Sequence, residues 1–233
     1  KFVLKKVAII QSNYIPWKGY FDLIASVDEF ILYDDVQYTK NDWRNRNKII
    51  TPNGIRWLTI PIKHSKLSQK IKDTKVSNPI WNNSHWSIIE ANYSNSKYFS
   101  DFSFELRSVY ENIDSLYLSD INFLFIRLIC KYLKIDTKIT KCSDYNYHRK
   151  GKVDSLISLI KESDAGEYYT GPSARSYLME EPFKKNNIKL TYMQYGPYRE
   201  YKQCNNDFIH TVSILDLLFS VCLKDAKKYF RKY

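Results

Sequence analysis

The chain has few glycines, few cysteines and no recognised phosphate-loop or metal motif. Only 6 of its 233 residues are glycine, and neither G-x-G-x-x-G nor G-x-x-x-x-G-K-[ST] occurs. A glycine-rich backbone cradle for phosphate is therefore not indicated. The 4 cysteines are far apart without a C-x-x-C pair, and the 4 histidines form no H-E-x-x-H motif. We expect no metal site, and free thiols in a reducing compartment.

Long apolar runs are also missing. The longest, such as residues 121–129, are too short and too interrupted to cross a bilayer. The start of the chain shows no charged segment followed by an apolar one, as a signal peptide would. The sequence therefore predicts a cytoplasmic protein without a membrane span.

Positive charge and aromatic side chains are what the chain has in excess. Lys and Arg number 36 against 25 Asp and Glu, which gives a net charge of +11. Such a surface attracts phosphates, nucleotides, nucleic acid or anionic lipid without choosing among them. The 20 Tyr, 12 Phe and 5 Trp exceed what a core of this size needs, so we expect some of them to line a cleft.

The hydrophobic periodicity alternates between that of strands and that of helices. Residues 7–11 and 29–34 are typical of strands around a helix at 19–26, and Asn53-Gly54 marks the turn of a hairpin. Further strands are predicted at 71–76, 138–143, 168–171 and 189–194, and helices at 82–98, 101–112, 119–133, 153–162, 173–185 and 213–230.

This order predicts an α/β fold with a doubly wound, mostly parallel sheet of about five strands, resembling a Rossmann fold. The β-hairpin and several helices are inserted into it. We expect residues 1–233 to form a single α/β domain, with a hairpin-plus-helix insertion at 41–100.

Polar and aromatic residues follow the predicted strand ends, where open α/β sheets bind ligands. Residues 11–20, 34–40 and 171–177 should converge there, and residues after the last strand are placed to close the site. The candidate ligand-binding residues are Gln11, Asn13, Tyr14, Trp17, Tyr20, Gln37, Lys40, Trp43, Asn45, Arg46, Asn47, Tyr201, Lys202 and Gln203.

Asp34 and Asp35 are the catalytic candidates. Neighbouring residues of a strand point to opposite faces, so at least one of the two should face the cleft, as a base for a sugar ammonium or to orient a hydroxyl. A helix cap or a salt bridge to Arg46 is the structural alternative. Lys40, Arg44 and Arg46 form the candidate anion clamp, because guanidinium groups match diphosphate geometry; a solvated loop is the alternative.

Many segments, in order along the chain, resemble the WbqC-like family. They are residues 11–21, 27–40, 43, 45–47, 58–61, 71–74, 150–151, 200–203, 205–206, 208 and 213–216. The resemblance implies a role in bacterial surface-polysaccharide biosynthesis, that is, of the O-antigen of lipopolysaccharide. It also implies attachment of an acyl or aminoacyl group, glycine in particular, to an amino sugar.

A fold-level similarity to nucleotidyltransferase-like adenylate-forming enzymes, such as pantothenate synthetase, is carried by Trp17-x-Gly19-Tyr20. It lies where those enzymes have His-x-Gly-His. Aromatic rings cannot donate charged hydrogen bonds to a reacting phosphate as histidines do. This similarity therefore implies an architecture, and function must be argued from the site.

Two functions from different classes remain. In the first, an amide-forming acyltransferase or ligase acts on a nucleotide-linked or lipid-linked amino sugar, with ATP or an acyl thioester as the source of the activated acyl group. Asp34 or Asp35 deprotonates the amine, and Lys40 and Arg46 hold phosphate. The second is a nucleic-acid-binding module or a non-catalytic nucleotide-binding accessory protein, with bases stacked on Tyr and Trp. An enclosed pocket favours the enzyme, and an open basic groove favours nucleic acid.

Overall fold

The structure is a computed structural model that describes residues 3–231. The strands are β1 (Lys6–Ile10), β2 (Glu29–Leu32), β3 (Arg46–Thr51), β4 (Gly54–Thr59), β5 (Ile62–Lys63), β6 (Lys75–Val76), β7 (Lys138–Lys141), β8 (Glu167–Thr170) and β9 (Lys189–Tyr192). The helices are α1 (Lys18–Ile24), α2 (Trp81–Tyr93), α3 (Phe99–Asn112), α4 (Leu118–Tyr132), α5 (Lys152–Glu162), α6 (Glu181–Lys185), α7 (Ile214–Ser220) and α8 (Leu223–Phe230).

Five parallel strands form the central sheet in the order β7-β2-β1-β8-β9. The register places Ala8 of β1 between Phe30 of β2 and Tyr169 of β8. Alternate residues of β1 belong to different cores: Ala8 packs with helices α1, α4 and α7, whereas Val7 packs with α5 and α6. Helices thus cover both faces of the sheet, which confirms the predicted doubly wound α/β fold.

Between β2 and β7 the chain leaves the sheet for the hairpin β3–β4, the short pair β5–β6 and helices α2 to α4. The hairpin turns at Asn53-Gly54, as predicted, and Gly54 has a φ of +102°, which favours glycine. No helix within residues 3–231 is long and apolar enough to cross a membrane.

Three predicted elements differ from those observed. Residues 71–76 form a 3₁₀ turn (Ile71–Asp73) and then β6, because the Thr74 hydroxyl bonds the Lys70 carbonyl and competes with a strand ladder. Residues 173–185 form a 3₁₀ turn (Pro172–Ser176) and the separate helix α6, since Pro182 fits the first turn of a helix and not its interior. Residues 213–230 form two helices, which are separated at Val221 and Cys222.

Gly19 at the start of α1 is covered by the indole ring of Trp17. A Cβ at position 19 would overlap that ring. We predict that Gly19→Ala lowers the free energy of unfolding by about 1–3 kcal/mol, because the partly buried ring must shift. Urea denaturation measures the change. Gly171→Ala is the control, since its Cβ would meet nothing closer than 3.7 Å. Equal unfolding midpoints for the two variants would contradict the prediction.

Candidate functional site

A cavity of about 920 Å³ lies at the carboxyl ends of β1, β2 and β8. Its walls come from the segments 9–11, 33–37, 147–156 and 168–177, together with Lys70 and Tyr195. Gln11, Asp35, Gln37 and residues 171–174 all contribute. The structure therefore brings together ends of the three segments that the sequence predicts to converge, at the edge where open α/β sheets bind ligands.

Asp35 is the centre of a charged cluster on the cavity wall. One of its oxygens lies 2.7 Å from Lys70 Nζ and 2.8 Å from Lys72 Nζ, and the other lies 2.7 Å from Arg149 Nε. Burial alone would raise the pKa of Asp35, but the hydrogen bonds and charges of Lys70 and Lys72 hold it below its ordinary value. Three cations against one carboxylate leave the cluster positive, so it suits an anionic ligand.

The side chain of Asp34 points elsewhere and is buried. Its carboxylate accepts hydrogen bonds from the Ser12 backbone N–H at 2.8 Å and from the Ser119 hydroxyl at 2.5 Å. It thereby ties the loop after β1 to the end of β2 and to α4. Of the two catalytic candidates, Asp35 lines the cavity, whereas Asp34 makes the hydrogen bonds that hold these segments together.

The amino terminus of α5 also reaches the cavity. Gly151 is the N-cap residue, with a φ of +73°, and both Gly151 and Lys152 line the wall. The first N–H groups of a helix have no partner within the helix and favour anions. The Lys152 Nζ lies 3.5 Å from the centre of the Tyr177 ring, which holds this cation beside the same wall.

Two predicted ligand-facing tyrosines belong to the core. The Tyr14 hydroxyl lies 2.8 Å from His85 Nδ1 and 2.5 Å from the Tyr110 hydroxyl, and its side chain is fully buried. The Tyr20 hydroxyl donates to the Gln11 carbonyl at 3.0 Å. Burial lowers the pKa of His85 to about 4, so this histidine is neutral near pH 7. These aromatic rings hold the loop after β1 in place.

The predicted anion clamp is not on the cavity wall. Because side chains alternate along β3, Asn47 points inward while Arg46 points outward, where its guanidinium lies 4.3 Å from the Trp57 ring centre and donates to the Asn41 carbonyl. Asn45 is buried and donates to the Ile60 carbonyl, and Lys40 is exposed. Arg44 bonds Asn13 and Asp42.

Four other predicted residues surround a smaller pocket of about 270 Å³, which we call the aromatic pocket. Its lining residues are Asn13, Trp17, Trp43, Asn47 and Thr211. The Trp17 ring packs edge-on against Tyr195 of the main cavity, with ring centres 5.3 Å apart. The two hollows therefore lie on either side of one aromatic contact.

Tyr201, Lys202 and Gln203 line a third hollow, of about 600 Å³, between the end of α2 and helix α8. Tyr201 and Gln203 donate to the buried Asp216, which also receives the Tyr93 hydroxyl at 3.0 Å. Burial raises the pKa of Asp216. Three donors on one carboxylate indicate a structural network, and the residues predicted to close the site line this hollow and not the main cavity.

Sequence reasoning missed most of the cations that the cavity contains. Lys70, Arg149 and Lys152 line the cavity, and Lys72 pairs with Asp35 on its wall. These residues come from the segment around the 3₁₀ turn (Ile71–Asp73) and from the segment around the start of α5, which are distant in sequence from the first two strands. The sequence signal for these cations was the basic run Arg149-Lys150-Gly151-Lys152, which leads into an amphipathic helix.

Comparison with known proteins agrees with the resemblance seen in the sequence. The model of the WbqC-like protein family matches residues 11–228. An uncharacterized protein of Mycobacterium tuberculosis, Rv1507c, is 47% identical over 229 residues, which is 98% of both chains. No solved structure matches the chain.

Proposed function

The chain belongs to the WbqC-like protein family, and from this premise we propose that it transfers an acyl or aminoacyl group to the amino group of a nucleotide-linked or lipid-linked amino sugar. The reaction would serve bacterial surface-polysaccharide biosynthesis. The observation that carries the proposal is the Asp35 cluster, which places one ionised carboxylate among three cations at the cavity wall.

The cations suit the phosphate groups of the acceptor. Arg149 carries a planar guanidinium that matches two phosphate oxygens, and Lys70 and Lys152 add point charges around the same cavity. Tyrosine rings offer flat surfaces for a base or a sugar ring: Tyr33, Tyr147, Tyr168 and Tyr177 line the walls. A volume near 920 Å³ lies within the range of pockets that enclose ligands of this size.

Asp35 is the proposed proton acceptor. The acceptor sugar reacts as the neutral amine, having released its ammonium proton to solvent; its nitrogen attacks the carbonyl carbon of the activated acyl group, the C–N bond forms, and the bond from carbon to the sulfur or phosphate oxygen of the donor breaks. A carboxylate of lowered pKa is a weak base towards a free ammonium. The nitrogen becomes far more acidic once it has bonded to carbon, so Asp35 then accepts its proton and passes it to the leaving group.

The transfer itself is tested by mass spectrometry. The protein is incubated with a nucleotide-linked amino sugar and either an acyl thioester or ATP with a carboxylic acid, glycine included. We expect the sugar to gain the mass of the carboxylic acid minus one water molecule. A sugar of unchanged mass with every donor, while the nucleotide-linked sugar binds, would argue for a non-catalytic binding protein.

Arg149 distinguishes a built phosphate site from the diffuse positive charge. Arg149→Lys keeps the charge but loses the guanidinium fork, so we expect the dissociation constant for UDP to rise roughly tenfold to hundredfold, the cost of about 1.5–3 kcal/mol for a charged hydrogen bond. Titration calorimetry measures this. Arg46→Lys and Lys227→Ala are the controls, and neither residue lines the cavity described above. Weaker binding in Arg46→Lys but not in Arg149→Lys would refute this site.

A further inference from the structure

The aromatic pocket has indole walls and few free polar atoms. Asn47 uses its amide on the backbone, where Nδ2 donates to the Tyr14 and Ile15 carbonyls and Oδ1 accepts from the Lys48 N–H. The Asn13 oxygen accepts from Arg44. A sugar ring has hydroxyl groups that need partners, and burying them unpaired is costly, so an apolar occupant fits this pocket better.

The pocket is placed to receive one end of a molecule held in the main cavity. Gln11 lines the main cavity, and Asn13, two residues further along the same loop, lines the aromatic pocket. The contact between Trp17 and Tyr195 lies between the two hollows. With about 270 Å³, the aromatic pocket is below the usual size for a whole ligand and suits a single substituent.

The Trp43 ring of the aromatic pocket, which could attract a cation, already has one beside it. None of the five residues that line this pocket is acidic. The Lys48 ammonium lies 5.5 Å from the centre of the Trp43 ring and donates to the Thr211 hydroxyl. A glycyl group carries an ammonium, which would find a like charge here and no carboxylate among the lining residues.

From these observations we infer that the aromatic pocket binds the acyl group that is transferred, and that this group is an apolar chain of several carbons. The inference rests on the proposed function, because it takes the main cavity as the site of the nucleotide-linked amino sugar. In the step written above, the acyl carbon lies at the junction near Trp17 and Tyr195, and its alkyl chain extends between Trp17 and Trp43.

Chain length is the variable that tests the inference. Each buried CH₂ group contributes about 0.8 kcal/mol, or about fourfold in affinity, so lengthening an acetyl to a butyryl group should tighten binding about fifteenfold. The probes are UDP-N-acetylglucosamine and UDP-N-butyrylglucosamine, measured by calorimetry, with UDP alone as the measure of the main cavity. UDP-N-glycylglucosamine should bind no better than the acetyl compound.

Variants of the pocket should abolish this preference. Thr211→Phe places a ring in the pocket from an exposed position, and Trp43→Ala removes one wall. In both, the fifteenfold ratio should fall to about threefold or less, while the affinity for UDP stays the same. Trp57→Ala is the matched control: its ring stacks on Trp43, with ring centres 5.6 Å apart, and is not among the residues that line the pocket, so the ratio should remain.

The outcomes separate this inference from the proposed function. Equal affinity for the acetyl and butyryl compounds, or tighter binding of the glycyl compound, overturns the acyl pocket even if transfer occurs. A preference for butyryl that Thr211→Phe abolishes supports the pocket, even if no donor gives transfer and the proposed function fails. If UDP and all three UDP-sugars fail to bind, both are overturned.

Discussion

Replacing Asp35 by Asn should lower the turnover number by about two to four orders of magnitude and leave the chain folded. The amide cannot accept the proton of the attacking nitrogen, and it no longer fixes the three cations around the cavity. The chain should stay folded because the side chains of Lys70, Lys72 and Arg149 are 38–55% exposed and can turn into solvent. Mass-spectrometric initial rates and circular dichroism measure the two properties.

The control for Asp35 is Asp73→Asn, an exposed carboxylate on the neighbouring 3₁₀ turn, which should retain full turnover. The difference in stability between the protein and its Asp35→Asn variant should also depend on pH. Because the folded pKa of Asp35 is lowered, its stabilisation is present above its unfolded pKa of about 3.9 and is lost as the pH falls through its folded pKa. Full turnover in a folded Asp35→Asn variant would remove this residue from the mechanism.

Replacing Asp34 by Ala should have the largest effect on stability. The Ser12 N–H and the Ser119 hydroxyl both donate to the Asp34 carboxylate, and both lose this buried acceptor. We expect the free energy of unfolding to fall by about 3–5 kcal/mol, a large part of the total stability of a typical domain. Urea denaturation measures it. Ser119→Ala removes only one of the two bonds and should cost roughly half as much.

Substitutions of the two neighbouring aspartates should affect different properties of the protein. Asp34→Ala should lose stability, and any lost turnover should follow the unfolded fraction. Asp35→Asn should lose turnover while it stays folded. An Asp34→Ala variant of normal stability without turnover would reverse the assignment of the two residues.

The sheet and its ligand-binding edge could be predicted because they depend on local patterns. The apolar runs of β1 and β2 are short and continuous, as expected of strands covered on both faces, and Asn53-Gly54 specifies a hairpin turn. The position of the cavity then follows from the rule that parallel strands present their carboxyl ends at one edge.

The direction in which individual side chains point was harder to predict from the sequence. Which of Asp34 and Asp35 faces the cavity depends on where β2 ends, and which of Arg46 and Asn47 points inward depends on where β3 begins. A shift of one residue reverses both choices. Sequence also cannot show that Lys70 and Arg149 meet at Asp35, because segments far apart in the chain are brought together only by the fold.

The large number of aromatic residues has two structural reasons, which the amino-acid composition alone does not distinguish. Rings such as Tyr14 and Tyr20 are buried and hold the loop after β1. Others line hollows, such as Tyr147 and Tyr177 in the main cavity and Trp43 in the aromatic pocket. Only the tertiary structure shows which rings face a hollow.

The most direct test of the account is a crystal structure of the chain with a UDP-linked amino sugar. We predict that the diphosphate contacts Arg149 and Lys70 at the carboxyl ends of β1 and β2, with the sugar nitrogen close to Asp35 and facing Trp17 and Tyr195. A diphosphate bound instead at Lys40 and Arg46, or in the hollow beside Tyr201 and Asp216, would contradict the central claim.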